Sequence, residues 1–197
     1  MQNLFVSKCY LFIAKYRKLD HYNEVKIKYG LESLYHFITK TIGIVFISLI
    51  LGILKENLQI FLFYGLLRMF GHGLHAKTNI DCWILSIITY VLLGYSAKYV
   101  YFYKYVLLSF AIISTFSFII WSPADTEKKP IIDKKLRLTL KLRTVVISMI
   151  YFIFIIFFYH NNIAKIMSLS MLLEALLINP VIYRIFKSRY NNYLYYQ

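Results

Sequence analysis

Residues 104–121, KYVLLSFAIISTFSFIIW, carry no charge after Lys104 and approach the length that crosses a bilayer as a helix. Similar apolar runs recur along the chain. Together they give six candidate membrane spans, at 37–54, 58–70, 82–100, 104–121, 144–160 and 163–183. We therefore expect an all-α, polytopic integral membrane protein with about six transmembrane helices.

The composition supports a membrane protein over a soluble one. Of 197 residues, 59% are hydrophobic and 19% aromatic, while Lys and Arg outnumber Asp and Glu 23 to 9. Basic residues are retained in cytoplasmic loops and attracted to anionic lipids, so we predict a lipid partner and no nucleic acid. Cys9 and Cys82 lie far apart and predict no disulfide framework, which leaves at least one thiol free.

The basic residues also predict an orientation, because Lys and Arg accumulate in inside loops. With six spans and both termini cytoplasmic, only four of the 23 basic residues lie on the outer side of the membrane. They are Lys55, Lys98, Lys104 and Lys165. The short span 58–70 must be kept, since omitting it would move the later basic clusters to the outer face. We predict a multi-pass protein of the cell membrane.

We interpret the chain as one membrane-embedded domain, 1–197. Its parts are an amphipathic region at 1–36, a transmembrane core at 37–183 with a basic cytoplasmic loop at 122–143, and a cytoplasmic tail at 184–197. The N-terminal region has apolar residues at helical spacing between basic ones. It either lies in the membrane interface or packs on the cytoplasmic face of its own protein.

The reactive residue types lie in residues 70–83, FGHGLHAKTNIDCW. At the start of span three, the helix dipole and unpaired N–H groups would stabilise a Cys82 thiolate. His75 would accept the thiol proton and later deliver it to a leaving amine. In one straight helix the pair would lie about 10 Å apart along the axis, so a turn must bring them together. Asn79 or Asp81 could cap the helix or orient the imidazole.

Two other interpretations of this stretch stay open. A cysteine in an apolar chain is commonly an inert packing residue, which is also our interpretation of Cys9. His72, His75 and Cys82 could supply three zinc ligands, although no HExxH motif or fourth nearby ligand accompanies them. We therefore predict no metal and no cofactor.

Three further residues interrupt the apolar spans. Arg68, at the end of span two, could bind a substrate carboxylate, donate to an oxyanion or anchor to lipid phosphate. Glu174 lies inside span six, where an acid needs a partner or a polar cavity. It could orient the histidine, bind a basic partner or serve as a hydrogen-bonded structural acid. Pro180 is expected to kink the same span.

Two motifs resemble the AgrB family, the accessory gene regulator peptidases of Gram-positive quorum sensing. The first is Arg68-x-x-Gly-His-Gly-x-His75-Ala followed by Cys82, and the second is the loop Pro123-Ala-Asp-Thr-Glu-Lys-Lys-Pro-Ile131. Chain length, hydropathy and predicted spans agree with this family over the whole sequence.

The resemblance implies a membrane cysteine endopeptidase that processes an AgrD-like propeptide into a cyclic autoinducing peptide. Cys82 would cleave off the acidic C-terminal tail and hold the remainder as a thioester. His75 would act as base and then acid, and Arg68 and Gly73 would be required. The resemblance also implies a homodimer and a Gram-positive source.

The basic loop is the expected contact for an acidic tail, through Lys128, Lys129, Lys134 and Lys135. Ordinary retention of positive charge inside the cell explains the same residues. A small non-enzymatic transporter or export subunit is the alternative function, in which Glu174 and the glycine-broken span would belong to a substrate site.

Overall fold

A computed structural model describes residues 2–16, 20–74, 78–127 and 130–196. These residues form helices and no β-strand, which confirms the all-α prediction. The helices are α1 Gln2–Tyr16, α2 His21–Ile50, α3 Leu54–Gly71, α4 Asn79–Tyr99, α5 Lys104–Trp121, α6 Lys134–Phe158, α7 Asn162–Ile178 and α8 Pro180–Ile185, followed by a short 3-10 helix, Asn192–Tyr196.

Four helices of the described chain are long and apolar enough to cross a membrane. They are α2, α4 from Ile80, α5 and α6. The predicted spans at 58–70 and 163–183 correspond to α3 and α7, which have 18 and 17 residues. The polytopic architecture is thus confirmed, while the inside location of both termini stays a prediction.

The break near Pro180 is sharper than a kink. Helix α7 ends at Ile178, and the Asn179 side chain accepts the Val181 N–H at 2.8 Å to cap α8. Pro180 occupies the first turn of α8, where its missing N–H costs no helical hydrogen bond. The chain therefore turns at the end of α7.

Helix α7 forms the centre of the bundle and packs against α3, α5 and α6. Small residues at its contacts allow close approach of helix backbones, as in membrane proteins generally. Ala164, Ser168 and Ala175 are buried, and the Ser168 hydroxyl donates to the Leu107 carbonyl at 2.9 Å. Large apolar side chains point outward from α2 and α6, as expected for helices that face lipid.

Helix α1 packs along α2 through aromatic and cation–π contacts. The rings of Phe5 and Tyr35 lie 5.5 Å apart, and the Lys28 ammonium lies 4.5 Å from the Tyr10 ring centroid. Four large apolar or aromatic side chains of α1 are exposed: Leu4, Leu11, Phe12 and Tyr16. An exposed apolar face fits the amphipathic helix that the sequence predicts.

Candidate functional site

The candidate site is built on the turn between α3 and α4. Helix α3 ends at Gly71, and His72 and Gly73 follow with φ angles of 59° and 105°. Both angles lie in the left-handed region, which glycine adopts at low cost and other residues do not. The chain thus leaves α3 abruptly at these two residues.

Backbone hydrogen bonds attach this turn to the loop after α5. The Gly73 N–H donates to the Ala124 carbonyl at 2.7 Å, and the Ala124 N–H donates to the Gly71 carbonyl at 3.0 Å. On the other side, the Leu74 N–H donates to the Leu177 carbonyl at 2.9 Å. Residues 72–74 are consequently held between the loop after α5, here called the proline-bounded loop (residues 123–131), and the end of α7.

The Arg68 guanidinium binds the same turn from inside. It donates to the carbonyls of His72, Gly73 and Leu74, the bond to Gly73 measuring 3.2 Å. Guanidinium has several donors in a fixed plane, so one side chain can fix three consecutive carbonyls. The predicted substrate, oxyanion and lipid roles of Arg68 stay predictions. In the structure, its donors bind the backbone carbonyls of residues 72–74.

Glu174 of α7 completes the arrangement. Its carboxylate is fully buried and lies 3.5 Å from the Arg68 guanidinium. Of the three predicted roles for this acid, the structure supports binding of a basic partner. This contact joins α7 to the end of α3.

Two glycines make room for this pair. A Cβ atom at Gly71 would lie 2.7 Å from Oε1 of Glu174. A Cβ atom at Gly73 would lie 2.5 Å from Nη1 of Arg68 and 3.0 Å from the Leu177 carbonyl oxygen. The sequence motif singled out Gly73, and steric contact with Arg68 is the physical reason for a glycine there.

His75, Ala76 and Lys77 lie outside the described residues, as does the Asn79 side chain. The distance between His75 and Cys82, and with it the His-Cys dyad and the zinc alternative, therefore stays a prediction. Within the described ranges, no three His, Cys, Asp or Glu side chains gather as metal ligands.

Cys82 lies in the first turn of α4, where the sequence placed it. Thr78 is the N-cap residue, and its hydroxyl accepts the Asp81 N–H at 3.1 Å and donates to the Asp81 carboxylate at 2.7 Å. The prediction that Asn79 or Asp81 caps this helix was wrong, because Thr78 precedes them with a hydroxyl in place. Asp81 instead binds the capping residue. The Cys82 thiol is free and half-buried.

A lysine from another helix contacts this thiol. The Lys40 ammonium of α2 donates to Cys82 Sγ at 3.4 Å. Gly43, about one turn later, makes the approach possible, because a Cβ there would lie 3.0 Å from Cζ2 of Trp83. From the sequence, Lys40 was predicted only to be one of the inside charges; its position near the inner end of a predicted span was the available signal.

The proline-bounded loop is held by Asp125, whose carboxylate is buried. It accepts the N–H groups of Asn192 at 2.9 Å and Tyr193 at 2.8 Å, and Arg137 lies 3.7 Å away. The guanidinium of Arg137 also stacks on the Tyr193 ring at 3.5 Å. Asp125 thus ties the C-terminal tail to the loop that contacts Gly73.

Of the predicted loop lysines, Lys128 and Lys129 lie outside the described residues. Lys134 and Lys135 are exposed in the first turn of α6, where Asp133 caps the helix by accepting the Lys135 N–H at 2.8 Å. No contact joins either lysine to Arg68 or Cys82 in the described part of the chain.

A cavity of about 570 Å³ lies beside this loop. Its walls include Trp121, Ser122, Arg137, Lys141 and Tyr190. Burial raises the pKa of the Tyr190 phenol to about 12, so at neutral pH it is uncharged and donates to the Trp121 carbonyl at 3.4 Å. The cavity consequently combines aromatic walls with two cationic side chains.

The sequence model of the accessory gene regulator B family matches residues 6–178 of this chain. These residues include Arg68, Gly73, Cys82 and the proline-bounded loop. The chain belongs to the AgrB family. An AgrB-like protein of Clostridium acetobutylicum is 32% identical over 93% of this chain and 88% of its own length.

Two further AgrB relatives cover similar shares. An AgrB-like protein of Listeria monocytogenes is 30% identical over 95% of this chain and 92% of its own length. Accessory gene regulator protein B of Staphylococcus saprophyticus is 28% identical over 84% of this chain and 86% of its own length. No solved structure matches the chain. AgrB membership supports a role in quorum sensing, an association with an AgrD-like propeptide, and, with the four apolar helices, a membrane location.

Proposed function

We propose that this AgrB protein is a cysteine endopeptidase that cleaves the C-terminal tail from an AgrD-like propeptide and promotes cyclisation of the remainder. The observation that carries the proposal is the position of Cys82, a free, half-buried thiol in the first turn of α4. A helix N-terminus stabilises a thiolate, the reactive form of cysteine.

In the proposed first step, the Cys82 sulfur attacks the carbonyl carbon of the scissile peptide bond. The carbon–nitrogen bond then breaks, and His75 gives the thiol proton to the leaving amine. The N-terminal part of the propeptide remains as a thioester on Cys82. The acidic tail departs with a new amino group.

In the second step, an internal Cys or Ser of the propeptide attacks the thioester carbonyl. His75 accepts the proton of that nucleophile, and the Cys82 sulfur leaves as a thiolate. The product is a thiolactone or lactone ring. Cyclisation exceeds hydrolysis only where water is excluded and the nucleophile is held nearby, and the boundary of the membrane can provide both conditions.

The Arg68 contacts support a positioning role in this reaction. Arg68 fixes the carbonyls of residues 72–74, which directly precede the proposed base. A base must lie within hydrogen-bond reach of the proton that it accepts, so restraint of the preceding backbone restricts where His75 can lie.

The acidic tail of the propeptide is the proposed partner of the basic loop. Arg137 and Lys141 line the cavity beside Pro123, and Lys134 and Lys135 are exposed nearby in the chain. The screening length is about 8 Å at physiological ionic strength, so opposite charges attract over this range and the basic loop would bind the acidic tail before cleavage. We also propose that the protein forms a homodimer, as the family resemblance implies.

The test compares the two cysteines of the chain, both free and both half-buried. Cys82→Ala and Cys9→Ala variants are coexpressed with the propeptide, and the peptides are analysed by mass spectrometry. We expect Cys82→Ala to abolish tail release and Cys9→Ala to retain it. Cleavage by Cys82→Ala would refute the peptidase assignment.

The same assay separates the alternative functions. Thiol alkylation should stop cleavage and a chelator should not, whereas a zinc hydrolase would give the reverse pattern. For a transporter, Cys82→Ala would leave peptide export intact. Glu174, which suggested transport, is occupied by its ion pair with Arg68 and is not among the residues that line the cavity.

A further inference from the structure

We infer that Lys40 is the charge partner of Cys82: its ammonium group contacts the sulfur and stabilises the negative charge that forms there when the thiol reacts. The inference rests on the proposed function in so far as Cys82 is the nucleophile. It adds a residue from α2 to a site that the motif confines to α3, α4 and their connection.

The contact itself is the first observation. Lys40 Nζ donates to Cys82 Sγ at 3.4 Å, and the two residues lie 42 positions apart on different helices. An ammonium group has donors only, so the sulfur is the acceptor in this contact, and a sulfur that becomes negative during a reaction accepts more strongly than a neutral thiol. A positive group at this distance favours the charged form of a thiol.

The surroundings of Lys40 are the second observation. The side chain is half-buried on a helix long and apolar enough to cross a membrane, where an unpaired charge is costly. No carboxylate of the described residues lies within ion-pair distance of its ammonium. Glu24 of the same helix instead pairs with Lys28 at 2.6 Å. Among the described residues, the Cys82 sulfur is the acceptor that the Lys40 ammonium contacts.

The helix packing is the third observation. The indole of Trp83 lies against Gly43, and a Cβ atom there would meet it at 3.0 Å. Trp83 adjoins Cys82, and Gly43 lies about one turn after Lys40. The glycine therefore brings α2 and α4 close enough for the lysine and the thiol to meet.

Other titratable groups occupy the same region. His36 precedes Lys40 by about one turn on α2, Asp81 binds Thr78 beside Cys82, and Tyr64 of α3 interacts electrostatically with the thiol. Arg68 of α3 is engaged with Glu174 and the carbonyls of the turn. His75 lies outside the described residues. A test must separate Lys40 from these groups.

The proton balance is simple. Lys40 keeps all three of its protons throughout, and the thiol proton leaves Cys82 for solvent in the free protein or for His75 in the proposed reaction. No redox step or further reactant is needed. Lys40 contributes charge and one hydrogen bond to the sulfur.

The experiment measures alkylation of Cys82 by iodoacetamide against pH, with the full-length protein in lipid vesicles and no propeptide present. A Cys9→Ser background leaves Cys82 as the one reactive thiol. The variants are Lys40→Met, which removes the charge at similar length, and Lys40→Arg, which keeps it. Lys26→Met, exposed on the same helix, is the matched control.

We expect Lys40→Met to slow alkylation near neutral pH by about tenfold or more and to move the midpoint of the profile to higher pH. The rates should converge at high pH, where every thiol is ionised. Lys40→Arg and Lys26→Met should give the same profile of Cys82 alkylation against pH as the parent protein. Superimposable profiles for Lys40→Met and the parent would overturn the inference.

Two further variants identify the partner group. His36→Gln should leave the profile in place; if it moved the midpoint and Lys40→Met did not, the imidazole would be the partner and the inference would be wrong. In a His75→Gln background, the shift caused by Lys40→Met should persist. Unaltered Cys9 labelling in a Cys82→Ser background checks that Lys40→Met is folded.

These outcomes are independent of the peptidase assay. If Cys82→Ala still cleaves propeptide while Lys40→Met alters alkylation, the proposed function fails and the charge pair stands. If Cys82→Ala is inactive while Lys40→Met alters nothing, the reverse holds.

Discussion

The buried Glu174 carboxylate lies 3.5 Å from the Arg68 guanidinium, and that guanidinium donates to three consecutive carbonyls of the turn after α3. The ion pair therefore connects the central helix α7 with the backbone that leads to His75. A substitution of Glu174 should therefore affect the candidate site, although Glu174 is far from the motif in the sequence.

Glu174→Gln should reduce both stability and propeptide processing. Removal of one partner from a buried ion pair leaves the other charge uncompensated, at a cost of about 3–5 kcal/mol. Thermal unfolding in detergent and mass spectrometry of the processed peptide measure the two effects. An unfolding temperature and activity equal to those of the parent would contradict the importance of the pair.

The double variant Arg68→Met with Glu174→Leu separates stability from positioning. Replacement of both charges by apolar groups removes the uncompensated charge, so much of the lost stability should return. Processing should stay low, because no donor then fixes the carbonyls of residues 72–74. Recovery of full activity would mean that Arg68 has no positioning role.

Gly73→Ala should impair the site, and Gly65→Ala on α3 is its matched control. At Gly73, the positive φ alone costs an L-residue about 1–2 kcal/mol, and the Cβ would meet the Arg68 guanidinium. At Gly65 nothing lies within 4 Å of the added atom, and alanine should stabilise the helix by up to about 1 kcal/mol. Processing assays should show loss only for Gly73→Ala, and equal effects of both variants would refute the steric argument.

Asp125→Asn should release the C-terminal tail from the proline-bounded loop. The buried carboxylate accepts N–H groups of Asn192 and Tyr193, and loss of its charge weakens both bonds and the attraction to Arg137. Limited proteolysis should show faster cleavage within residues 186–196. Glu127→Gln is the control, since its ion pair with Arg189 is exposed and contributes little. Equal protection of the tail in both variants would count against Asp125 as its anchor.

Gly43→Val should separate α2 from α4 and thereby move Lys40 away from Cys82. The added side chain would press on the Trp83 indole, whereas at Gly30 of the same helix a Cβ atom meets nothing within 4 Å. Alkylation of Cys82 near neutral pH should therefore slow in Gly43→Val and stay unchanged in Gly30→Val. If Gly43→Val alkylates at the parental rate, the close approach of the helices is not what holds the pair together.

The fold was predictable to a large extent because its signals are local. Apolar runs at 82–100 and 104–121 predicted helices that the structure contains at nearly the same bounds. The exact helix ends were less predictable. Thr78 caps α4 in place of Asn79 or Asp81, and a proline that predicted a kink begins a separate helix.

The candidate site was predictable only in part. The motif identified Arg68, Gly73 and Cys82, which the structure places around one turn and the helix start that follows it. It did not identify the partners of these residues. Glu174 carried a signal, as an acid in an apolar span, but that signal did not name Arg68, and Lys40 was indistinguishable from the other inside lysines.

By itself, the sequence determined the helical membrane architecture and the position of the Cys82 thiol near a helix start, and its family motif indicated a glycine after α3. These properties depend on residue type and spacing within a few turns of chain. Only the tertiary structure decided that Arg68 binds Glu174 and the turn carbonyls, and that Lys40 meets Cys82. Such pairs form between side chains on different helices, and their distances depend on how the helices pack, which in turn depends on small residues such as Gly43 and Gly71 at the contacts.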